Sequence, residues 1–389
     1  MIPNRLLVVD DEADLCEFLR EVASDCGFEV AATTTHEDFK REYRSFKPGA
    51  LILDLAMPEG DGIELLHFLA DERSESRILL LSGFDARVRG AALRVGRDLG
   101  LRMLDALQKP VRIAELEEHL RALASATRQL RVEELERALD ADELFLHFQP
   151  KVEVPSGAVC GVEGLMRWQH PQYGSIGPAE FIPLFEKAGL IGRLTHRAME
   201  TACRQLGLWR EAGLDLGAAV NLSPLELGNL ALPDQIAELV RRFHLDARQL
   251  TIEVTESGAM GDVGRAAEIL ARFRLKGFRI ALDDFGTGYS SLVWLHRLPF
   301  SELKIDRSFV AELATSPEAG ILVRSIVDLA HNLGLEVCAE GVETRETWEM
   351  LASLRCEKAQ GYLVSRPLPA PEIPQWIEDW RRRSPTWAM

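Results

Sequence analysis

The 389-residue chain has six cysteines, at positions 16, 26, 160, 203, 338 and 356, and no C-x-x-C pair. That scatter argues against a structural zinc site or a disulfide frame and reads as buried thiols in a reducing compartment. No uninterrupted apolar run is long enough to span a bilayer. The opening stretch, MIPNRLLVVDDEADL, meets acids where a signal peptide would continue its apolar segment. A cytoplasmic protein without a membrane span is expected. Cations are also scarce: Lys and Arg number 45 against 61 Asp and Glu, a formal net charge of −16. Phosphate neutralisation needs clustered Lys and Arg, so DNA and RNA are not expected partners. A small anionic ligand escorted by metal ions is compatible with this balance.

Hydrophobic residues are 47% and charged residues 27%, enough to bury a real core, and the length suits two domains. Residues 5–123 read as alternating strands and helices. RLLVVDD (5–11) is an apolar run ending in Asp10 and Asp11, followed by helically spaced Leu15, Phe18, Leu19 and Val22. GALILDLAMPEGDG (49–62) presents Asp54, RILLLSGFD (77–85) presents Ser82, and LRMLDALQKP (101–110) presents Lys109. Four apolar runs thus deliver polar groups at their carboxyl ends, the edge where open parallel sheets bind ligands. One such Asp would be a solvated strand end; the set suits acyl-phosphate chemistry. Asp10, Asp11 and Asp54 would hold a divalent cation, with Lys109 and Ser82 contacting phosphoryl oxygens.

This segment resembles the receiver domain of two-component response regulators, in VVDDE, LILDLAMPEGDG, LLLSG and QKP. The resemblance implies a doubly wound (βα)5 domain over residues 1–123, one Mg²⁺, Asp54 as phospho-acceptor and a sensor histidine kinase as partner. It departs from the family at Ala106, where a Tyr or Phe usually swings inward on phosphorylation, and at Val111, where Phe is frequent. The expected route of signal transmission is altered.

Residues 113–144 contain neither Gly nor Pro and carry leucines at roughly helical spacing, with a break near 125–129. They read as the last receiver helix followed by the first helix of the next domain, with 124–143 a helical linker. A lever or dimer seam is compatible with the same pattern.

From Leu144 onward, seven β-runs alternate with amphipathic helical stretches, the pattern of a (β/α) barrel, whose strand ends converge on one mouth. The runs present Glu163 and Arg167, Asn221, Glu253 and Glu256, Asp283 and Asp284, Lys304 and Asp306, Glu340 and Glu343, and Gln360. Glu163, Glu253, Asp283, Asp284 and Glu340 cannot all stay ionised in one cleft without protons or bound cations. An all-oxygen set without Cys or His favours Mg²⁺ or Mn²⁺. Asp283 and Asp284, as strand neighbours, would point to opposite faces, so they serve one site only if the backbone turns there. Gly286 and Gly288 permit such a turn. The pair then suits a bridge between two ions. Asp306 and Glu343 read equally well as ordinary salt-bridge partners. His170, His296 and His331 read as surface or helix-packing residues, and Trp376, Trp380 and Trp387 as a cap on the barrel or packing between domains.

The segment 144–389 resembles an EAL domain, the class that hydrolyses the bacterial messenger cyclic di-GMP, in FQP, EGLMRW, VNLSP, EVTES, DDFGTGYSSL, KID, EGVE and QGY. The resemblance implies a TIM-like (β/α)8 barrel, cyclic di-GMP as substrate, linear 5′-pGpG as product and two Mg²⁺ or Mn²⁺ ions. Glu163, Asn221, Glu253 and Asp283 would hold the first ion, and Asp283, Asp284 and Glu340 the second. Lys304 would orient the attacking water, with Glu340 assisting its deprotonation. Gln149, Leu165, Arg167 and Gln360 would contact substrate, while Asp306 and Glu343 support the centre. Glu256 would anchor the DFGTGYSSL loop beside a dimer interface, and a homodimer or higher oligomer is expected. Gly164 stands where the family's name motif has Ala, leaving Glu163 a ligand on a looser backbone. The rival readings are a non-catalytic cyclic di-GMP receptor, which usually lacks metal or water-activating groups, and a protein-interaction adaptor, which does not account for the acids.

Overall fold

Leucine-, isoleucine- and valine-rich runs build the first sheet. The computed structural model describes residues 4–58, 60–111, 116–117, 119–120, 123, 130–255, 263–286, 295 and 297–383. It divides into two compact units, Met1–Leu130 and Arg131–Met389.

In the first unit, strands Asn4–Val9, Phe28–Thr33, Ala50–Asp54, Arg77–Ser82 and Arg102–Gln108 form one parallel sheet in the order 2-1-3-4-5. Side-chain alternation splits each central strand between two cores. Leu6 and Val8 pack with Leu19, Ile52 and Leu79 on one face, and Leu7 and Val9 with Phe39, Leu53 and Leu80 on the other. Helices Ala13–Asp25, His36–Phe46, Gly62–Asp71 and Ala86–Asp98 alternate with the strands. Thr35, Asp61 and Asp85 cap three of them by accepting from Asp38, Glu64 and Val88 backbone N–H groups, satisfying donors a helix start leaves free. Phe28–Thr33 is one edge strand of the sheet and Arg102–Gln108 the other.

The second unit is an eight-stranded closed barrel. Strands Val159–His170, Ala218–Asn221, Leu250–Thr255, Arg279–Phe285, Glu302–Ile305, Glu336–Ala339 and Lys358–Ala359 run parallel. The first, Leu144–Glu153, is antiparallel to both its neighbours and closes the ring. The chain from Glu153 to Val159, with Pro155, Ser156 and Gly157, is a hairpin connection, too short for the crossover a parallel pair requires. Helices including Pro178–Lys187, Ile191–Glu211, Leu232–Arg242, Val263–Leu275, Pro317–Asn332, Arg345–Ser353 and Ile373–Arg383 surround the strands. Trp380 is buried, stacks on Trp376 and donates its indole N–H to Gly157 O at 2.8 Å, so both residues pack against the barrel. Trp387 and His296 lie outside the described residues. The helix Val132–Asp140 belongs to the second unit. Among the described residues no helix is long and apolar enough to cross a membrane.

Candidate active site

The barrel interior is polar in two layers, and strand alternation sets both. Gln149 and Lys151, Lys304 and Glu302, and Gln360 and Lys358 are pairs two residues apart, so each pair shares a face. The upper layer is centred on Lys304, which is fully buried. Its Nζ lies 2.7 Å from Glu340 Oε1, 3.1 Å from Glu253 Oε2, 3.1 Å from Asp283 Oδ1 and 3.4 Å from Glu163 Oε2. Asn221 donates its amide to Glu163 Oε1 at 3.0 Å, and Gln360 donates to Glu163 Oε2 at 2.7 Å. Gln360 also donates to Gln149 Oε1 at 2.8 Å, and Gln149 in turn donates to Ser365 O at 2.9 Å. Gln149 faces Glu163 across the antiparallel pair. Gly361, beside Gln360, must be glycine: a Cβ there would sit 2.2 Å from the Val342 backbone.

The two adjacent aspartates do reach one cleft. Asp284 itself takes a left-handed conformation, φ 54°, and the strand's pairing with Glu302–Ile305 shifts register between Leu282 and Phe285. The turn therefore begins at Asp284, a residue type that tolerates this region, and Gly286 continues it at φ 102°. Gly288 lies outside the described residues. Asp284 N–H donates to Asp283 Oδ1 at 3.0 Å.

Glu163, Glu253 and Asp283 can each bring one oxygen within 4.8 Å of the others, and so can Asp283, Asp284 and Glu340. Asp283 is common to both groups. Glu253 Oε2 is buried, and the cation facing it is the Lys304 ammonium at 3.1 Å, which three other carboxylates share. An oxygen-only donor set in which four carboxylates share one ammonium fits Mg²⁺ or Mn²⁺ at these positions.

Electrostatics point the same way. Burial and the neighbouring Glu163 push Glu253 up to about 8, despite Lys151 and Lys304. Burial and the adjacent Asp283 push Asp284 up to about 6, and burial raises Glu340 as well. Glu163 falls below the ordinary range: burial opposes this, but Lys304, Lys151 and the Gln360 hydrogen bond prevail. The acids outnumber the cations available to them.

Leu165 and half-buried Arg167 follow Glu163 on the same strand, and Arg167 donates to Met166 O at 3.0 Å. Asp306 caps the short helix Arg307–Ala311, accepting from Ser308 N–H at 2.9 Å. Its charge adds to the rise at Asp284. Glu343 is exposed. Among the described residues neither Asp306 nor Glu343 makes an ion pair with Lys304. Glu256 lies outside the described residues. His170 is buried and meets Arg137 and Glu134 of the Val132–Asp140 helix, a packing role. His331 bonds Glu357 at 2.8 Å.

Sequence reasoning missed the lower layer. Lys151 Nζ is 2.7 Å from Glu253 Oε1, and Lys358 bridges Glu302 at 2.6 Å and Glu336 at 2.7 Å. The available signal was period-two spacing from Gln149 to Lys151.

In the first unit, Asp10, Asp54 and Ser82 are buried at the carboxyl edge. Lys109 Nζ lies 2.7 Å from Asp10 Oδ2 and 2.8 Å from Asp54 Oδ2. Asp10, exposed Asp11 and Asp54 can bring one oxygen each within 4.8 Å of one another, a set that fits Mg²⁺. Gly62 packs against the strand end, where a Cβ would sit 2.8 Å from Asp54 O. Ser82 Oγ accepts from Phe84 N–H at 3.0 Å.

A response regulator receiver domain profile matches residues 6–121 and an EAL domain profile residues 132–367. The chain belongs to the EAL domain family and carries a receiver domain ahead of the barrel. The cyclic di-GMP phosphodiesterase RocR of Pseudomonas aeruginosa is 34% identical over 328 residues, covering 82% of this chain and 84% of RocR. The bifunctional diguanylate cyclase/cyclic di-GMP phosphodiesterase MucR of the same bacterium is 46% identical over 252 residues, covering 64% of this chain and 37% of MucR. This chain thus spans little more than a third of MucR's length. A solved PaMucR phosphodiesterase in complex with c-di-GMP aligns with a TM-score of 0.59 at 46% identity, covering 62% of this chain and 98% of that one.

Proposed function

We propose that this chain is a phosphorylation-controlled phosphodiesterase that hydrolyses cyclic di-GMP to linear 5′-pGpG. The observation that carries the reading is Asp283, shared by two three-carboxylate groups at one barrel mouth. Glu163, Asn221, Glu253 and Asp283 would hold one cation, and Asp283, Asp284 and Glu340 the other. When bound, the cations acidify water and neutralise charge developing on the phosphodiester oxygens. Lys304, protonated because four carboxylates outweigh its burial, is a donor and orients the attacking water. Glu340, 2.7 Å from Lys304, stands where it can accept that water's proton. The water oxygen bonds to phosphorus as the bond to one ribose 3′ oxygen breaks, that oxygen takes a proton from solvent to become a hydroxyl, and the ring opens to pGpG. Arg167 and Gln149 line the same end of the barrel to contact the substrate, with Leu165 and Gln360 beside them.

RocR and MucR carry phosphodiesterase names, and relatedness to them supports the substrate. The receiver cluster supports control by a sensor histidine kinase acting on Asp54 in the cytoplasm, and the family supports a dimer. The test is chromatography of cyclic di-GMP incubated with the full chain and Mg²⁺, with and without EDTA. Linear pGpG formed only without EDTA is the expected result. Unchanged substrate under both conditions would leave a receptor or an adaptor instead.

A further inference from the structure

Lys151 is only 5% exposed, yet its charge faces an active-site acid. Glu253 is wholly buried, and its two oxygens have different neighbours. Oε1 is held from the lower layer by Lys151 Nζ at 2.7 Å. Oε2 faces the mouth, with Lys304 Nζ at 3.1 Å, an ammonium it shares with Glu163, Asp283 and Glu340. Lys151 is steadied in turn by Glu302 Oε1 at 4.0 Å, while Lys358 occupies Glu302 Oε2 at 2.6 Å. A hydrophobic side chain would fill this space with less desolvation cost, so stability alone does not account for the buried pair.

We propose that Lys151 is a positioning residue: it takes Glu253 Oε1 from below, so that Glu253 offers a single oxygen, Oε2, to a cation shared with Glu163 and Asp283. The inference rests on reading the barrel mouth as a metal site. It extends the working set beyond the ligands to the cation beneath one of them, because partners that orient a ligand are part of how a site binds metal. Without Lys151, Glu253 is free to rotate or to pair more closely with Lys304, and either movement withdraws a ligand oxygen.

The test is Mn²⁺ binding to the full chain, followed by the electron paramagnetic resonance of free Mn²⁺, in wild type, Lys151→Met and the double variant Lys151→Met/Glu302→Gln. The double variant removes both charges of the lower pair, so it carries the measurement if the single variant does not fold. The Asp10–Asp11–Asp54 cluster adds the same background to all three proteins. Barrel affinity should fall about 10–100-fold. Hydrolysis at limiting Mn²⁺ should fall with it and recover at excess Mn²⁺, with KM for cyclic di-GMP unchanged. Wild-type Mn²⁺ affinity in a folded variant overturns the inference, as does unfolding of both variants, which would make Lys151 structural. If wild type binds Mn²⁺ at the barrel but cleaves no cyclic di-GMP, the proposed activity falls and the role of Lys151 stands. Hydrolysis with equal affinities in all three proteins keeps the activity and removes that role. Absence of barrel binding in wild type sinks both.

Discussion

Lys304 Nζ and Glu340 Oε1 stand 2.7 Å apart at the centre of the barrel mouth. A fully buried ammonium so close to an acid donates a hydrogen bond and does not act as a base. Lys304→Ala should therefore lower kcat by about 10²–10⁴-fold, the range of positioned proton-handling groups, and leave KM nearly unchanged. Steady-state kinetics over a range of cyclic di-GMP concentrations checks this. A raised KM with kcat intact would reassign Lys304 to substrate binding.

Metal binding should release protons. Without a cation, Glu253 is pushed up to about 8 and Asp284 up to about 6, so both are partly protonated near neutrality. A ligand carboxylate must be ionised, so Mg²⁺ affinity should rise with pH through the range where Asp284 and then Glu253 lose their protons, still climbing at pH 8, and level off only about one unit above that. Calorimetry at pH 7 in two buffers of different ionisation enthalpy measures the protons released. Identical heats in the two buffers would contradict the ligand assignment. Ca²⁺ should inhibit, because its larger and looser coordination holds a shared carboxylate poorly.

Gly164→Ala should be tolerated. A Cβ there would meet Leu146 Cδ1 at 3.3 Å, the movable end of a side chain, and Ala219 O at 3.5 Å. The backbone needs no glycine, and removing one stabilises a chain by about 0.4–1 kcal/mol through its unfolded state. Chemical denaturation should show that gain with hydrolysis retained. A loss of activity would mean that the site needs the space glycine leaves beside Leu146 and Ala219.

Asp54 should accept phosphate from acetyl phosphate, since Lys109 already bridges it to Asp10. Phosphorylation adds about −1.5 to −2 charges. With Ala106 in place of an aromatic ring, the change should run through the loop after Ser82, whose hydroxyl holds Phe84 N–H. Hydrolysis should rise modestly with the donor in wild type and stay constant in Asp54→Ala. Equal responses in both proteins would dismiss Asp54 as the switch.

The acids and the amide at the mouth were legible because each ends an apolar run, and parallel strands must converge at their carboxyl ends. Both domain architectures followed from the same alternation. The turn that unites Asp283 and Asp284 was anticipated, but it starts ahead of the glycines, at an aspartate in the left-handed region. The reversed first strand was signalled only by the Pro-Ser-Gly turn at 155–157, which a count of β-runs passes over. Lys151 was hidden for a different reason. Lysine is seldom buried unless paired, and its partner Glu253 lies 102 residues away, a proximity that exists only once the barrel closes.

The reversed first strand also decides where force enters the barrel. Because it runs against its neighbours, Leu144 pairs with Trp168 beside Arg167, and the chain arrives at the rim. Glu143 clamps that point, accepting from Arg137 Nε at 2.8 Å and from Trp168 Nε1 at 3.0 Å. In an all-parallel barrel the incoming chain would attach at the floor, and a pull on it would have to cross the whole stave to be felt. Here a tug or twist on the helix Val132–Asp140 loads the strand that carries Arg167 and Glu163 within a few residues of its anchor.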